Sequence, residues 1–272
     1  MRELPDAEAE DGEVHAGGDL ELASSHGGSL VRGGRLGCGG NHVSEVPHHM
    51  IEFFQITGSA SFAARIALEE AGAEYTPVNV HPRRRDEPAS FGEVNPLRRV
   101  PALREGDVAI YETGAVLLWL ADRFPESDLG PAVGDPARGD LYRWIVWLSN
   151  TLHPAWWPIM KSPVSEPEEA AHAEIRARGR ETMDAHGAYL ERELAKGPWC
   201  LGDTFSVADA YLYMLVGWES YIEGGYQLGG ERVREHYRRT GERPSVVRTR
   251  ELDDLDERLI RYHPELRAGL PI

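Results

Sequence analysis

Cysteine is close to absent from this chain: Cys38 and Cys200 are the two in 272 residues. Two thiols cannot build a disulfide framework, and a reducing, cytoplasmic compartment fits such usage. Positive charge is also short. Lys and Arg number 29 against 45 Asp and Glu, a formal net charge of −16. That balance speaks against nucleic acid and against anionic membrane surfaces as partners. Long apolar runs are missing too. None approaches the ~18 residues a membrane span needs, so no membrane-spanning helix is expected. The histidines near Cys38 are too sparse to make a metal site, and no metal is expected.

Residues 1–49 lack a sustained apolar period. They hold ten glycines, with nine acidic and three basic residues, a net of −6 that leaves −10 for the remainder. Low hydrophobicity with net charge is the signature of disorder, so a disordered extension is expected over 1–49. A basic stretch followed by an apolar core is not found, and a secretory signal is not expected. The folded protein is expected to begin at Met50, after either an over-long assigned start or a flexible tail.

From Met50 the pattern changes. Met50 to Phe54 reads as a strand, Gln55 to Ser61 as a loop, and Phe62 to Ala71 as a helix stopped by Gly72. Glu74 to Val80 is a second strand, and the β-α-β unit requires a parallel pair with a right-handed crossover. His81 to Glu93, with Arg83, Arg84 and Arg85 at its centre, reads as an exposed loop and short helix.

The stretch Asn95 to Val116 (NPLRRVPALREGDVAIYETGAV) carries the most information. Val100-Pro101 precedes a short apolar run, and proline inside a sheet belongs at the first residue of a strand or at an edge. A cis Val100-Pro101 bond would turn the Val100 N–H and C=O out of the sheet, open to a ligand. Arg104 to Asp107 reads as a hairpin turn and Val108 to Tyr111 as the returning strand. Glu112-Thr113 then leads into an apolar helix, with Thr113 as N-cap. A helix start offers free N–H groups and partial positive charge, which suits a carboxylate. Residues 50–125 together give a thioredoxin-like α/β sandwich.

Phe124 to Arg138 is rich in Pro, Gly and Asp and reads as a linker, its centre at 126–137. Every long segment in 138–272 is helical. Leu141, Trp144, Ile145, Leu148 and Leu152 fall at helical spacing, and His153-Pro154 interrupts the run. Glu166 to Leu194 is a long charged helix. Phe205 opens an apolar helix through Trp218, on which Ser206 and Asp209 form a capping box. Pro244 to Ile260 is a further helix. The fold class expected is thus an N-terminal thioredoxin-like domain followed by an all-helical domain.

The pattern NP-x-x-x-VPAL followed by ET-x-A resembles the glutathione-binding half of the cytosolic glutathione transferases, and GDTFSVADA resembles the capping motif of their helical domain. The stretch GSASFAARIALEEAGAEY is most similar to the bacterial beta-type transferases. The resemblance covers residues 50 to about 260. It implies a homodimer that joins glutathione to a small apolar electrophile, with no metal or redox cofactor. Within it, Val100 and Pro101 would meet the cysteinyl part of glutathione, and Glu112 and Thr113 the γ-glutamyl end. Arg99 is a candidate for a glutathione carboxylate, with a solvated surface the equal alternative.

The reaction needs a thiol ionised near neutral pH, although a free thiol sits near ~8.5. The resemblance places the assisting group in the loop before the first helix. No tyrosine stands there, and the position of the beta-type catalytic cysteine is Ala60. Ser61 is the first candidate for thiolate stabiliser and Ser59 the second, with Ser61 as a helix cap the alternative. His153, in NTLHPAW, resembles the beta-type histidine that approaches the thiol; a structural role is the alternative. Trp147, Trp156 and Trp157 read as core, with one of them as the wall of an apolar co-substrate pocket the alternative, and Cys200 reads as an inert buried thiol. The rivals are a glutathione-dependent isomerase, dehalogenase or disulfide reductase, and a non-catalytic binding or scaffold protein.

Overall fold

The computed structural model describes residues 50–80, 88–161, 169–222 and 224–253. The expected extension at 1–49, the Arg83, Arg84 and Arg85 run and the far end of the last expected helix lie outside the described residues.

Strand β1 (Ile51–Gln55) is the centre of the first half. Its side chains alternate across the sheet, so Ile51 and Phe53 join one core and Phe54 joins another. One edge of β1 pairs in parallel with β2 (Tyr75–Asn79), reached through helix α1 (Ser61–Glu70). Gly72 ends that connection at φ +59, the left-handed conformation a helix stop requires. The other edge pairs antiparallel with β3 (Ala102–Glu105), which turns into β4 (Val108–Tyr111). The strand order is β2-β1-β3-β4. Helix α2 (Ala89–Val94) lays Phe91 and Val94 over Phe54, with the Phe54 and Phe91 rings stacked at 5.4 Å. Helices α1 and α3 (Thr113–Arg123) cover the opposite face. This is the thioredoxin-like unit expected.

A 3-10 turn at Pro125–Ser127 and an irregular stretch lead to α4 (Arg138–Trp147). The chain then widens into a π-helical turn at Leu148–Leu152, where the His153 N–H bonds the Leu148 carbonyl five residues back. Pro154 supplies the reason: it has no N–H for the Asn150 carbonyl, and the ladder opens at that point. The helix nevertheless continues as α5 (His153–Ala155) and, after Trp156, as α6 (Trp157–Lys161). The expected interruption at His153-Pro154 is therefore a change of pitch rather than a stop.

Helix α7 (Glu169–Glu193) is the long charged helix expected, and α8 (Val207–Gly217) is buried from Val207 to Val216. The α8 capping box is present. Asp209 accepts the Ser206 N–H at 2.8 Å, and the Ser206 hydroxyl accepts the Ala208 N–H at 3.3 Å. A 3-10 turn (Trp218–Tyr221) follows, then α9 (Glu231–Gly241) and α10 (Pro244–Asp253). Helix α9 is absent from the sequence reading. It has no cap of its own: the Glu191 carboxylate on α7 accepts the N–H groups of Gly230 and Val233, each at 2.9 Å. Burial opposes that charge, but these N–H groups and Arg232 outweigh it and hold Glu191 below the usual carboxylate range.

One continuous apolar core runs from Ile51 and Phe53 through α1, α3, α4 and α8 to Val246 on α10. Of the three tryptophans read as core, Trp156 is fully buried, Trp147 is half-buried and Trp157 is exposed. Trp157 opens a single-turn helix and keeps its ring on the surface, which corrects that expectation.

Candidate active site

Strand register brings three distant segments to one end of the sheet. Phe54 pairs with Ala102, and Ala102 with Tyr111. The loop after β1, the approach to β3 and the exit from β4 are therefore neighbours. These segments carry Ser59 and Ser61, then Arg99, Val100 and Pro101, then Glu112 and Thr113.

The approach to β3 is held by Asn95, which is 1% exposed. Its amide oxygen accepts the Leu97 N–H at 2.9 Å, and its amide nitrogen donates to the Arg99 carbonyl at 2.7 Å. Asn95 shapes the loop that delivers Val100. The Val100-Pro101 peptide is cis, and the Val100 N–H and C=O make no hydrogen bond to a described residue. Pro101 is buried. Arg99 is exposed, and its guanidinium has no partner among the described residues.

At the exit from β4, Glu112 adopts φ +72 and ψ +123, a conformation that non-glycine residues rarely occupy. Thr113 is the first helical residue of α3 and not its N-cap, so that expectation shifts by one position. The Glu112 carbonyl accepts the Val116 N–H at 2.9 Å, and no side chain caps the helix. The N–H groups of the first turn, at a buried Thr113, remain available to a bound carboxylate.

The two serines differ sharply. Ser61 is fully buried, its hydroxyl donates to the Ile56 carbonyl at 2.8 Å, and its oxygen accepts the Ile56 N–H at 3.2 Å. Ser59 is partly exposed; its hydroxyl reaches the same carbonyl at 2.7 Å, and the two hydroxyl oxygens lie 2.8 Å apart. The Ser59 oxygen also accepts the Ser61 N–H at 3.2 Å, so both serines close the loop and the difference between them is that Ser59 is the partly exposed one. Ala60, between them, holds the N-cap position of α1.

From the helical half, the His153 Nδ1 lies 2.8 Å from the Tyr211 hydroxyl, and the His153 ring meets Trp218 edge-on at 4.8 Å. Burial lowers the His153 pKa to about 4, so the imidazole is neutral at physiological pH. Burial pushes the Tyr211 phenol up to about 12, and the hydroxyls of Ser149 and Thr113 beside it counter part of that rise. His153 thus reaches the start of α3 through Tyr211.

Two further residues of the helical half hold the loop that bears Ser59. The Asp253 carboxylate accepts the Gly58 N–H at 3.4 Å, and the Tyr221 hydroxyl donates to the Gly58 carbonyl at 3.3 Å. Asp253 also pairs with Arg65 on α1, and both side chains are buried. Cys200 is buried far along the chain and its thiol is pushed up by burial, as expected for an inert thiol.

Models of the glutathione S-transferase N-terminal and C-terminal domains match residues 50–122 and 173–239. A sphingomonad glutathione S-transferase solved with glutathione is 31% identical, aligns over 75% of this chain and 99% of its own, and superposes with a TM-score of 0.65. The chain belongs to the glutathione S-transferase family. Glutathione S-transferase GstA of Escherichia coli O157:H7 is 27% identical over 199 residues, 72% of this chain and 95% of its own. The disulfide-bond oxidoreductase YghU of Escherichia coli K12 is 26% identical over 253 residues, 83% of each chain. In this glutathione S-transferase the sequence reading passed over Asn95, Tyr211, Tyr221 and Asp253. An Asn-Pro pair signals a turn and pointed at Asn95. The other three act across 58 to 195 positions of sequence, for which one sequence holds no signal.

Proposed function

We propose that this glutathione S-transferase binds glutathione at the convergent end of the sheet and joins its thiolate to a small apolar electrophile. The observation that carries the reading is the meeting of the Ser59 loop, the free Val100 peptide groups and the α3 start at one place. Val100 pairs its backbone with the cysteinyl part, beside Pro101. Glu112 and Thr113, with the first-turn N–H groups, hold the γ-glutamyl end, and Arg99 meets a glutathione carboxylate. Ser59 takes the role of thiolate donor ahead of Ser61, because its side chain is the one partly exposed to a ligand whereas Ser61 is fully buried. His153, neutral, contributes a second donor. Catalysis is then positioning and electrostatic stabilisation of the thiolate, with glutathione as co-substrate and no metal.

The relative named as a disulfide-bond oxidoreductase supports a second reading, reduction of disulfides by two glutathione molecules. Both readings share the glutathione site, so one experiment serves both. Calorimetry with reduced glutathione on the full chain tests binding, and no heat at millimolar glutathione defeats both. Rates with a panel of aryl and alkyl electrophiles against a small disulfide substrate then separate them. A homodimer in the cytoplasm completes the proposal. Exposed Val108 and Tyr111 on the edge strand β4, and Tyr142 and Val146 on α4, supply apolar surface for pairing. Light scattering that returns only the 30.3 kDa monomer removes that part.

A further inference from the structure

We propose that Tyr211 is a positioning residue that donates its hydroxyl hydrogen to His153 Nδ1 and so holds His153 as the Nε2–H tautomer. The target of that N–H, the bound thiolate, rests on the glutathione reading; the tautomer itself does not.

The argument is one of donors and acceptors. The Tyr211 side chain is 1% exposed, and its hydroxyl must find its partners inside the protein. A phenol has one hydrogen to give and two lone pairs to fill. Three side chains surround it: His153 Nδ1 at 2.8 Å, Ser149 and Thr113. The Ser149 hydroxyl is buried and makes no hydrogen bond to a described residue. A Cβ added to Gly114 would lie 2.6 Å from that hydroxyl oxygen, which fixes Ser149 against the start of α3. His153 Nδ1 is the one hydrogen-bond partner of the phenol among the described residues. The buried phenol hydrogen is therefore satisfied only if the lone pair of His153 Nδ1 accepts it.

A nitrogen that accepts cannot carry the ring proton, so the proton resides on Nε2. Nε2 makes no hydrogen bond to a described residue, so its N–H is left as a donor for a ligand. The neutral ring that burial enforces agrees with this arrangement, because a protonated imidazole would offer Tyr211 no lone pair. The groups facing Tyr211 are His153, Ser149 and Thr113, with the Glu112 charge nearby. Thr113 also opens the helix proposed to hold the γ-glutamyl end, so Tyr211 joins that anchor to the histidine.

Long-range ¹H–¹⁵N spectra of the full chain with ¹⁵N-labelled histidine read the tautomer directly. Wild-type His153 is expected as Nε2–H between about pH 6 and 8 without any ligand. Tyr211→Phe should shift it to a mixture with Nδ1–H. With glutathione bound, the same variant should raise the thiol pKa and lower kcat about tenfold, while KM for glutathione stays within about twofold. In a His153→Ala background, Tyr211→Phe should move the thiol titration no further. A wild-type Nδ1–H tautomer overturns the proposal, as does a Tyr211→Phe spectrum identical to wild type. The wild-type spectrum decides even if the variant fails to fold. The ligand-free spectra stand if glutathione does not bind, in which case the proposed function alone fails.

Discussion

Thr113 sits at the first position of α3, buried, with its hydroxyl close to the Tyr211 phenol. Replacing it with alanine should weaken glutathione binding by about 1–3 kcal/mol, the scale of one lost polar partner, as titration calorimetry can measure. The serines give a sharper comparison. Ser59→Ala should raise the pKa of bound glutathione thiol, read by thiolate absorbance against pH, with little change in affinity. Ser61→Ala should instead lower thermal stability, because the Ile56 backbone loses the partner that closes the loop. The reverse pattern would return the thiolate role to Ser61. His153 contributes a pH dependence with a definite sign. Above pH 6.5 the ring is neutral in both folded and unfolded chains and has no effect. Between 6.5 and about 4 the unfolded chain binds a proton that the folded ring refuses, so stability falls as pH drops through that window. The full effect is about 3 kcal/mol. In urea titrations His153→Gln should flatten the slope of stability between pH 4.5 and 6.5; an unchanged slope assigns the titration elsewhere.

Helix starts show how sequence and fold part company. The α8 start was legible because both partners of its cap, Ser206 and Asp209, stand three residues apart. The α9 start was not, because its cap is Glu191 on another helix and its buried stripe is only Val233, His236 and Thr240. The α3 start lay between these cases: the motif was visible, but the turn at Glu112 placed the first helical residue one position earlier than expected. Ser206→Ala should cost about 1 kcal/mol. Asp209→Ala should cost about 3 kcal/mol or more, since the Ser206 N–H, the Cys200 N–H and the His236 ring all lose their partner. Chemical denaturation of the two variants tests that order. Gly114 has a different task, the close approach of α3 to α4. A Cβ there would lie 2.6 Å from Ser149 Oγ and 3.0 Å from Ile145 Cγ2. Gly114→Ala is expected to cost about 1–3 kcal/mol and to weaken glutathione binding, because the displaced element is the one that carries Thr113. A variant with wild-type stability would show that the two helices can separate freely.

At the scale of the whole molecule, the division into two halves was readable from composition, since strands and short helices give way to helices alone after residue 125. What joins the halves was not readable, because Arg65 and Asp253 stand 188 positions apart. Asp253→Ala should destabilise the protein by about 3–5 kcal/mol, because it leaves the Arg65 charge buried without a counter-ion. Replacing both, Arg65→Met with Asp253→Leu, should recover most of that loss, as guanidinium denaturation can show. The same residue has a second consequence, reached through Gly58. The loop that bears Ser59 is tethered at its amide by Asp253 and at its carbonyl by Tyr221. A chimera that takes its first 125 residues from this protein and its later helices from a relative would inherit the whole sheet and the starts of α1 and α3. It would keep the tethers only if the donor brings an acid at the position of Asp253 and a phenol at the position of Tyr221. Exchange of substrate range by recombination is thus limited by two positions of the helical half that touch the loop of the first, and crossovers that respect them are the ones expected to yield working hybrids.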